Sequence, residues 1–284
     1  MSKYKHRDAA ILSWLYVGLF VGIGWLLYMY MMRPRSSTES FDLVPTMDFY
    51  VITMGQSDRE TNIQSQIKRQ MDRMRAHPDK RDRFRFTIHK IDAVVGQDLD
   101  VDPLVEQGRV FPGIYDNPVH HGNGRFDGNS FNEKWANRKN EIGCYLSHYA
   151  TYETIRDRGD PGGYSVIFED DFVLDPDFMR ILDETMVKLT DKGTDFDMLF
   201  LGITGDKGAR VVDNVYQTTG MSFCAHGYVV KNQHIDRILD QMNYIDNIVD
   251  VQIFKKANAG ELRVLRLDPT IVEQGDLGTG IRNH

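Results

Sequence analysis

The sequence predicts a single α/β domain of the Rossmann type, with a mostly parallel sheet, preceded by one transmembrane helix. Three observations carry this expectation. Apolar strand-like runs alternate with segments of helical period from residue 48 to the C-terminus. Residues 9–32 contain no charged side chain. Glu169, Asp170 and Asp171 directly follow the apolar run 164–168, where α/β sheets place their chemistry.

The chain has 284 residues and a formal net charge of -7, enough material for one core once the N-terminal segment is set aside. The acidic balance argues against nucleic acid as a partner, because that binding rests on Lys and Arg displacing counterions. Cys144 and Cys224 are the two cysteines and form no Cys-x-x-Cys pair, so no zinc site is indicated. Both lie in apolar stretches, which favours buried free thiols over a single bridge.

Residues 1–8 read as a tail and 9–32 as a helix long enough to cross about 30 Å of hydrocarbon. Trp14, Trp25, Tyr28 and Tyr30 lie towards its ends as interfacial aromatics do, and Gly18 and Gly22 match a weak close-packing motif. The span runs into Met31-Met32-Arg33 rather than small residues, which favours an uncleaved anchor over a signal peptide. Lys3, Lys5 and Arg7 precede it and Arg33 and Arg35 follow, a margin of one basic residue for a cytoplasmic N-terminus. The arrangement is then single-pass type II, with an extracytoplasmic domain. Residues 33–47 read as a stem and 48–284 as the catalytic-sized domain.

Residues 49–53 make the first strand, and Ile63, Ile67, Met71 and Met74 recur on one face of the helix after it. A second strand is expected at 84–89. Between 98 and 139 neither period survives, so this stretch reads as a long binding loop, and His120-His121 lacks a third ligand to suggest a metal. Asn140 is the expected N-cap of a helix with Ile142, Leu146, Tyr149 and Ile155 on its apolar face. After a turn at 159–163 comes the strand 164–168. Asp175 with Pro176 is expected to open the next helix, followed by strands at 197–202 and 225–230, a helix capped by Asn232, and a last strand at 262–267.

Three adjacent carboxylates repel one another and are most easily stabilised by a hard divalent cation, which suggests a metal-diphosphate substrate. The alternative is a solvated acidic strand end. His148 reads either as a packed, hydrogen-bonded helical residue or as a site residue; Tyr145 and Tyr152 share its side of the helix.

Several motifs resemble glycosyltransferase family 25, the lipooligosaccharide-type and procollagen-type β-galactosyl- and glucosyltransferases. Glu141-Ile142-Gly143-Cys144-Tyr145-Leu146-Ser147-His148 is the closest match, followed by Val166-Ile167-Phe168-Glu169-Asp170-Asp171, an Asp-x-Asp-type motif. Tyr50-Val51-Ile52-Thr53 with Asp58-Arg59, Ile91-Asp92-Ala93-Val94-Val95-Gly96, Gly227-Tyr228-Val229-Val230, Val249-Asp250 and residues 268–274 also resemble family segments. Two positions depart from the pattern: Val249 replaces a proline before Asp250, and His226 stands where a small or polar residue is usual.

The resemblance implies a GT-A fold, a UDP-hexose donor, and Mn²⁺ or Mg²⁺ between the carboxylates and the diphosphate. Glu169 and Asp171 are the expected metal ligands, and Asp170 contacts the ribose or holds the loop. Asp250 is the candidate base for inverting transfer to a glycan or protein hydroxyl, against the alternative that it only begins a helix. Thr53, Arg59, Asp92, Ser147 and His148 are the remaining donor-site candidates. The rival readings are a noncatalytic membrane-anchored glycan-binding module of the same fold and a metal-dependent phosphoesterase, which lacks a second acidic cluster.

Overall fold

The computed structural model describes residues 46–75, 87–112 and 131–275. The expected span at 9–32, its stem and His120-His121 lie outside these residues; among the described residues no helix is long and apolar enough to cross a membrane.

Strand β1 (Met47–Thr53) pairs in parallel with β2 (Ile88–Asp92) on one side and β3 (Tyr164–Glu169) on the other. The sheet continues through β8 (Gly227–Lys231), β5 (Met198–Phe200), β9 (Val264–Leu267), β7 (Val215–Phe223) and β6 (Thr204–Val212). Following the pairings along the sheet, six strands point one way, and β8 and β7 run opposite to them. The expected parallel sheet is therefore a mixed one, parallel without interruption only across β2-β1-β3. A small second sheet pairs β4 (Phe172–Leu174) with β10 (Val272–Gln274).

Alternation along the strands divides the core into two layers. Tyr50, Ile52, Ile167 and Tyr228 pack on one face under α3 (Phe131–Arg158), α5 (Ile235–Gln241) and α6 (Val249–Asn258). Phe49, Val51, Val166 and Phe168 pack on the other under α1 (Ser57–Arg75) and α4 (Phe178–Asp191). A sheet buried on both faces explains why its strands read as continuous apolar runs.

Several expected elements change. The stretch 98–139 is not one structureless loop: it contains a 3₁₀ turn at Gly96–Asp98, α2 (Asp102–Glu106) and the first turns of α3. The helix thus begins at Phe131 rather than after Asn140. Its opening sequence, Phe-Asn-Glu-Lys-Trp-Ala-Asn-Arg-Lys, is compatible with helix but carries no apolar stripe by which to detect one. The second strand extends to Asp92. Helix α4 opens at Phe178, because Asp175 forms the preceding turn by accepting the Asp177 N–H at 2.7 Å. Asn232 begins a 3₁₀ turn ahead of α5, its side chain accepting from Ser165 at 2.7 Å and donating to the Asp160 carbonyl at 2.8 Å. The β6–β7 hairpin, joined at Asp213-Asn214 with Asn214 in the left-handed region (φ 58°), was not expected at all.

One close approach positions the site. A Cβ on Gly96 would lie 2.3 Å from the Lys139 carbonyl oxygen, and one on Gly143 would lie 2.7 Å from that of Val94. The segment after β2 therefore rests directly on the backbone of α3. Because β1 has β2 on one side and β3 on the other, the chain reverses its direction of travel at β1, and the carboxyl ends of β1 and β3 border a crevice.

Candidate functional site

Both sides of this crevice turn outward at the same level, since Ile52 pairs with Glu169 in the register. On the β1 side, Thr53 Oγ1 accepts the Gly55 N–H at 3.0 Å and Gly55 adopts φ 71°, which tightens the loop. Asp170 stitches the two sides together. One of its oxygens takes the Arg59 guanidinium and the other takes the Met54 N–H at 3.1 Å. Asn62, one turn further along α1, donates to the carbonyls of Asp170 and Phe172 at 3.4 and 2.9 Å. Arg59 and Asp170 are both buried, so neither charge has water as an alternative partner.

Glu169 faces α3. Its Oε1 lies 3.2 Å from His148 Nε2, and His148 Nδ1 lies 2.8 Å from the Tyr228 hydroxyl, itself 2.7 Å from that of Tyr152. An ionised carboxylate only accepts, so Nε2 carries a proton. With the ring neutral, Nδ1 accepts from Tyr228 and Tyr228 accepts from Tyr152, a directed relay that ends on Glu169. Burial alone would raise the Glu169 pKa, but the His148 hydrogen bond and the charges of His148, His226 and Arg59 outweigh it and hold the carboxyl below its usual range.

Asp171 differs from both neighbours. Burial and then the charge of Glu169 push its carboxyl above the usual range. Its Oδ2 accepts the Gln274 amide at 2.9 Å, and its backbone carbonyl accepts the Gly275 N–H at 2.7 Å. Its Oδ1 is buried and has no hydrogen-bond partner among the described residues. An orphaned carboxylate oxygen beside a second carboxylate fits the oxygen donor set that a hard divalent cation takes.

The other expected site residues separate. Ser147 is a buried clamp, donating to the Gly143 carbonyl at 2.7 Å and accepting the Val94 N–H at 2.8 Å. Asp92 is exposed at the end of β2, in register with Thr53. Asp250 lies in the first turn of α6, where its oxygens accept the N–H groups of Cys224 at 2.9 Å and Val251 at 2.7 Å. Cys224 holds φ 84°, a conformation non-glycine residues rarely adopt. Both cysteines are free.

The Cys144 thiol shows how these carboxylates converge. Burial raises its pKa first, followed by the charges of Glu169, Asp250, Glu141 and Asp171. Cys144, His148 and Glu169 also have ligand atoms within 4.8 Å of one another. Here Nε2 and Oε1 bond to each other and the thiol is held protonated, so the trio is a hydrogen-bonded cluster rather than a metal cage.

Sequence reasoning missed Asn62, Tyr152, Tyr228 and Gln274. The four-residue spacing of His148 and Tyr152 on one helix was a signal for Tyr152. Tyr228 read only as part of an apolar strand.

The family model for Glycosyltransferase family 25 (LPS biosynthesis protein) matches residues 47–204. The chain is 26% identical over 174 residues to procollagen galactosyltransferase 1 of Danio rerio, covering 57% of this chain and 26% of that protein. It is 28% identical over 168 residues to procollagen galactosyltransferase 1-A of Xenopus laevis, covering 52% and 25%. Over 64 residues it is 34% identical to a Bos taurus protein named "Probable inactive glycosyltransferase 25 family member 3", covering 22% and 10%. The matched segments thus span about a quarter of the length of the first two relatives.

Proposed function

The chain belongs to glycosyltransferase family 25, and from that premise we propose that it moves a hexose from a UDP-sugar to a hydroxyl of a glycan or protein side chain. The proposed transfer inverts the anomeric centre and depends on Mn²⁺ or Mg²⁺. The observation that supports the metal reading best is the orphaned, buried Oδ1 of Asp171 beside the ionised Glu169.

In this reading Glu169 and Asp171 hold the cation, which as a Lewis acid neutralises charge on the departing diphosphate. The protein's own groups do the rest. Arg59 and Asp170 lock the loops after β1 and β3 at a fixed separation. The Tyr152–Tyr228–His148 relay aims Glu169, and Gln274 aims Asp171. Asp250, fixed by two backbone N–H groups, takes the proton of the acceptor hydroxyl as general base. Thr53 and Asp92 border the donor side of the same sheet edge. An anchor at 9–32 would tether the domain in the type II arrangement.

The names of two relatives make UDP-galactose the first donor to test and UDP-glucose the second. The experiment is UDP release from a donor panel by the full chain in detergent, with Mn²⁺ or chelator and with Asp171→Ala alongside. Metal-dependent release from one donor, lost in Asp171→Ala, supports the reading. Phosphate release from simple esters instead would make the protein a phosphoesterase. The relative named as inactive keeps a glycan-binding module as the second reading; it predicts glycan binding with no release from any donor, even when acceptor is added.

A further inference from the structure

We propose that His226 is a third ligand of the cation site, through its Nδ1 atom, an assignment that rests on the metal reading above. Strand β8 runs antiparallel to β3 with Gly227 opposite Phe168, so the next pair sets His226 opposite Glu169. The Glu169 N–H donates to the His226 carbonyl at 3.2 Å, which continues the ladder to this pair. Side chains directly opposite in an antiparallel pair share a face, with Cβ atoms about 4.5–5.5 Å apart. The charge of His226 accordingly acts on Glu169.

The imidazole is 6% exposed and its orientation is fixed. Nε2 lies 3.2 Å from the Val272 carbonyl oxygen, which can only accept, so Nε2 carries the proton of the neutral ring. Nδ1 is left with a bare lone pair, buried and without a hydrogen-bond partner among the described residues. The ring occupies a gap that only glycine leaves: a Cβ on Gly202 would lie 2.4 Å from Nε2 and 2.1 Å from the Val272 oxygen. A backbone carbonyl holding one ring nitrogen while the other faces the ion is the usual arrangement around a metal-bound histidine.

The same short strand orients both orphaned atoms. Val272 of β10 fixes His226, and Gln274 of β10 fixes Asp171. Two buried groups with unspent lone pairs, Asp171 Oδ1 and His226 Nδ1, thus accompany Glu169. Adding an imidazole to a carboxylate pair shifts preference from Mg²⁺ towards first-row transition ions, so the site should select Mn²⁺ over Mg²⁺.

The test uses the full chain in detergent with UDP and Mn²⁺, read by electron spin echo modulation and by free Mn²⁺ in a binding titration. The wild type should show ¹⁴N modulation from a directly bound nitrogen. His226→Ala should lose it and bind Mn²⁺ about tenfold or more weakly, while retaining its melting transition. A wild-type spectrum without ¹⁴N modulation, or modulation that persists in His226→Ala, overturns the assignment without requiring the variant to be otherwise unperturbed. Asp171→Ala separates the two levels. If it abolishes Mn²⁺ binding while His226→Ala binds normally, only the histidine assignment falls; if it binds Mn²⁺ as the wild type does, the metal reading falls as well.

Discussion

The β1–β3 crevice and the β6–β7 hairpin lie towards opposite ends of one sheet and handle charge in opposite ways. In the crevice, Arg59 and Asp170 are both buried, 111 residues apart in sequence, and every charged contact joins separate elements. In the hairpin, Arg210 pairs with Asp213 three residues away and Lys207 with Asp268, with most of the side chains half exposed. Water can replace the hairpin partners, whereas nothing replaces those of the crevice. A polar contact therefore indicates a site when it is buried and its alternatives have been removed, not when it is merely present.

The sharpest way to break this contrast is Arg59→Ala. It strands Asp170 as an unpaired buried charge and should cost about 3–5 kcal/mol, read as a lower urea midpoint with loss of transfer activity. The conservative Arg59→Lys should recover only part of this, because a point charge cannot reproduce the guanidinium geometry.

Next is Asp171→Asn, expected to lower transfer by roughly 10²–10³-fold. Stability should hold or rise, and the sign follows from linkage. With metal chelated, the raised pKa of Asp171 in the folded protein gives a contribution that is fullest at low pH and lost as pH rises through the folded value. Glu169 has the reverse sign: its depressed pKa stabilises the fold above the unfolded value and is lost as pH falls through the folded value. Melting curves against pH should therefore lose part of their acid-side slope in Glu169→Gln, while Asp171→Asn should gain most near neutrality. The same sign for both variants would remove the distinction drawn between these carboxylates.

Tyr228→Phe is smaller. It cuts the relay behind His148 and should cost about 1 kcal/mol in stability. A fall in apparent Mn²⁺ affinity, reversed by no change at Tyr152, would distinguish aiming of Glu169 from simple packing. Smallest is Arg210→Ala in the hairpin, which should leave the urea midpoint unmoved. A shift comparable with that of Arg59→Ala would erase the contrast between the two regions.

The same contrast explains what the sequence disclosed. Strands β1 and β3 were legible because both of their faces are buried, and the triplet was legible because it ends such a run. Which acid is free was not: that depends on Arg59, far before the triplet, and Gln274, 103 residues after Asp171. His148 was visible as a helical residue with Tyr152 one turn away, but Tyr228 joins them from 80 residues downstream. The hairpin was hidden because Gly205, Gly208 and Gly220 interrupt its period and both strands are largely exposed, so burial imposed no alternation. The family-like segments 141–148 and 166–171 fall within the matched region 47–204, whereas Asp250 and the β10 residues lie beyond it.

The contact of Gly96 with α3 and of Gly143 with the Val94 carbonyl has a consequence for saturation mutagenesis. Neither glycine has chemistry to offer a sugar or a phosphate, yet a side chain at either position would separate the helix bearing His148 from the strand ends it serves. In a screen scored by product alone, both would rank beside Glu169 and Asp171. Scoring cellular abundance in parallel would divide the four, since the glycine variants should vanish from the folded pool while the acid variants accumulate as intact, silent protein.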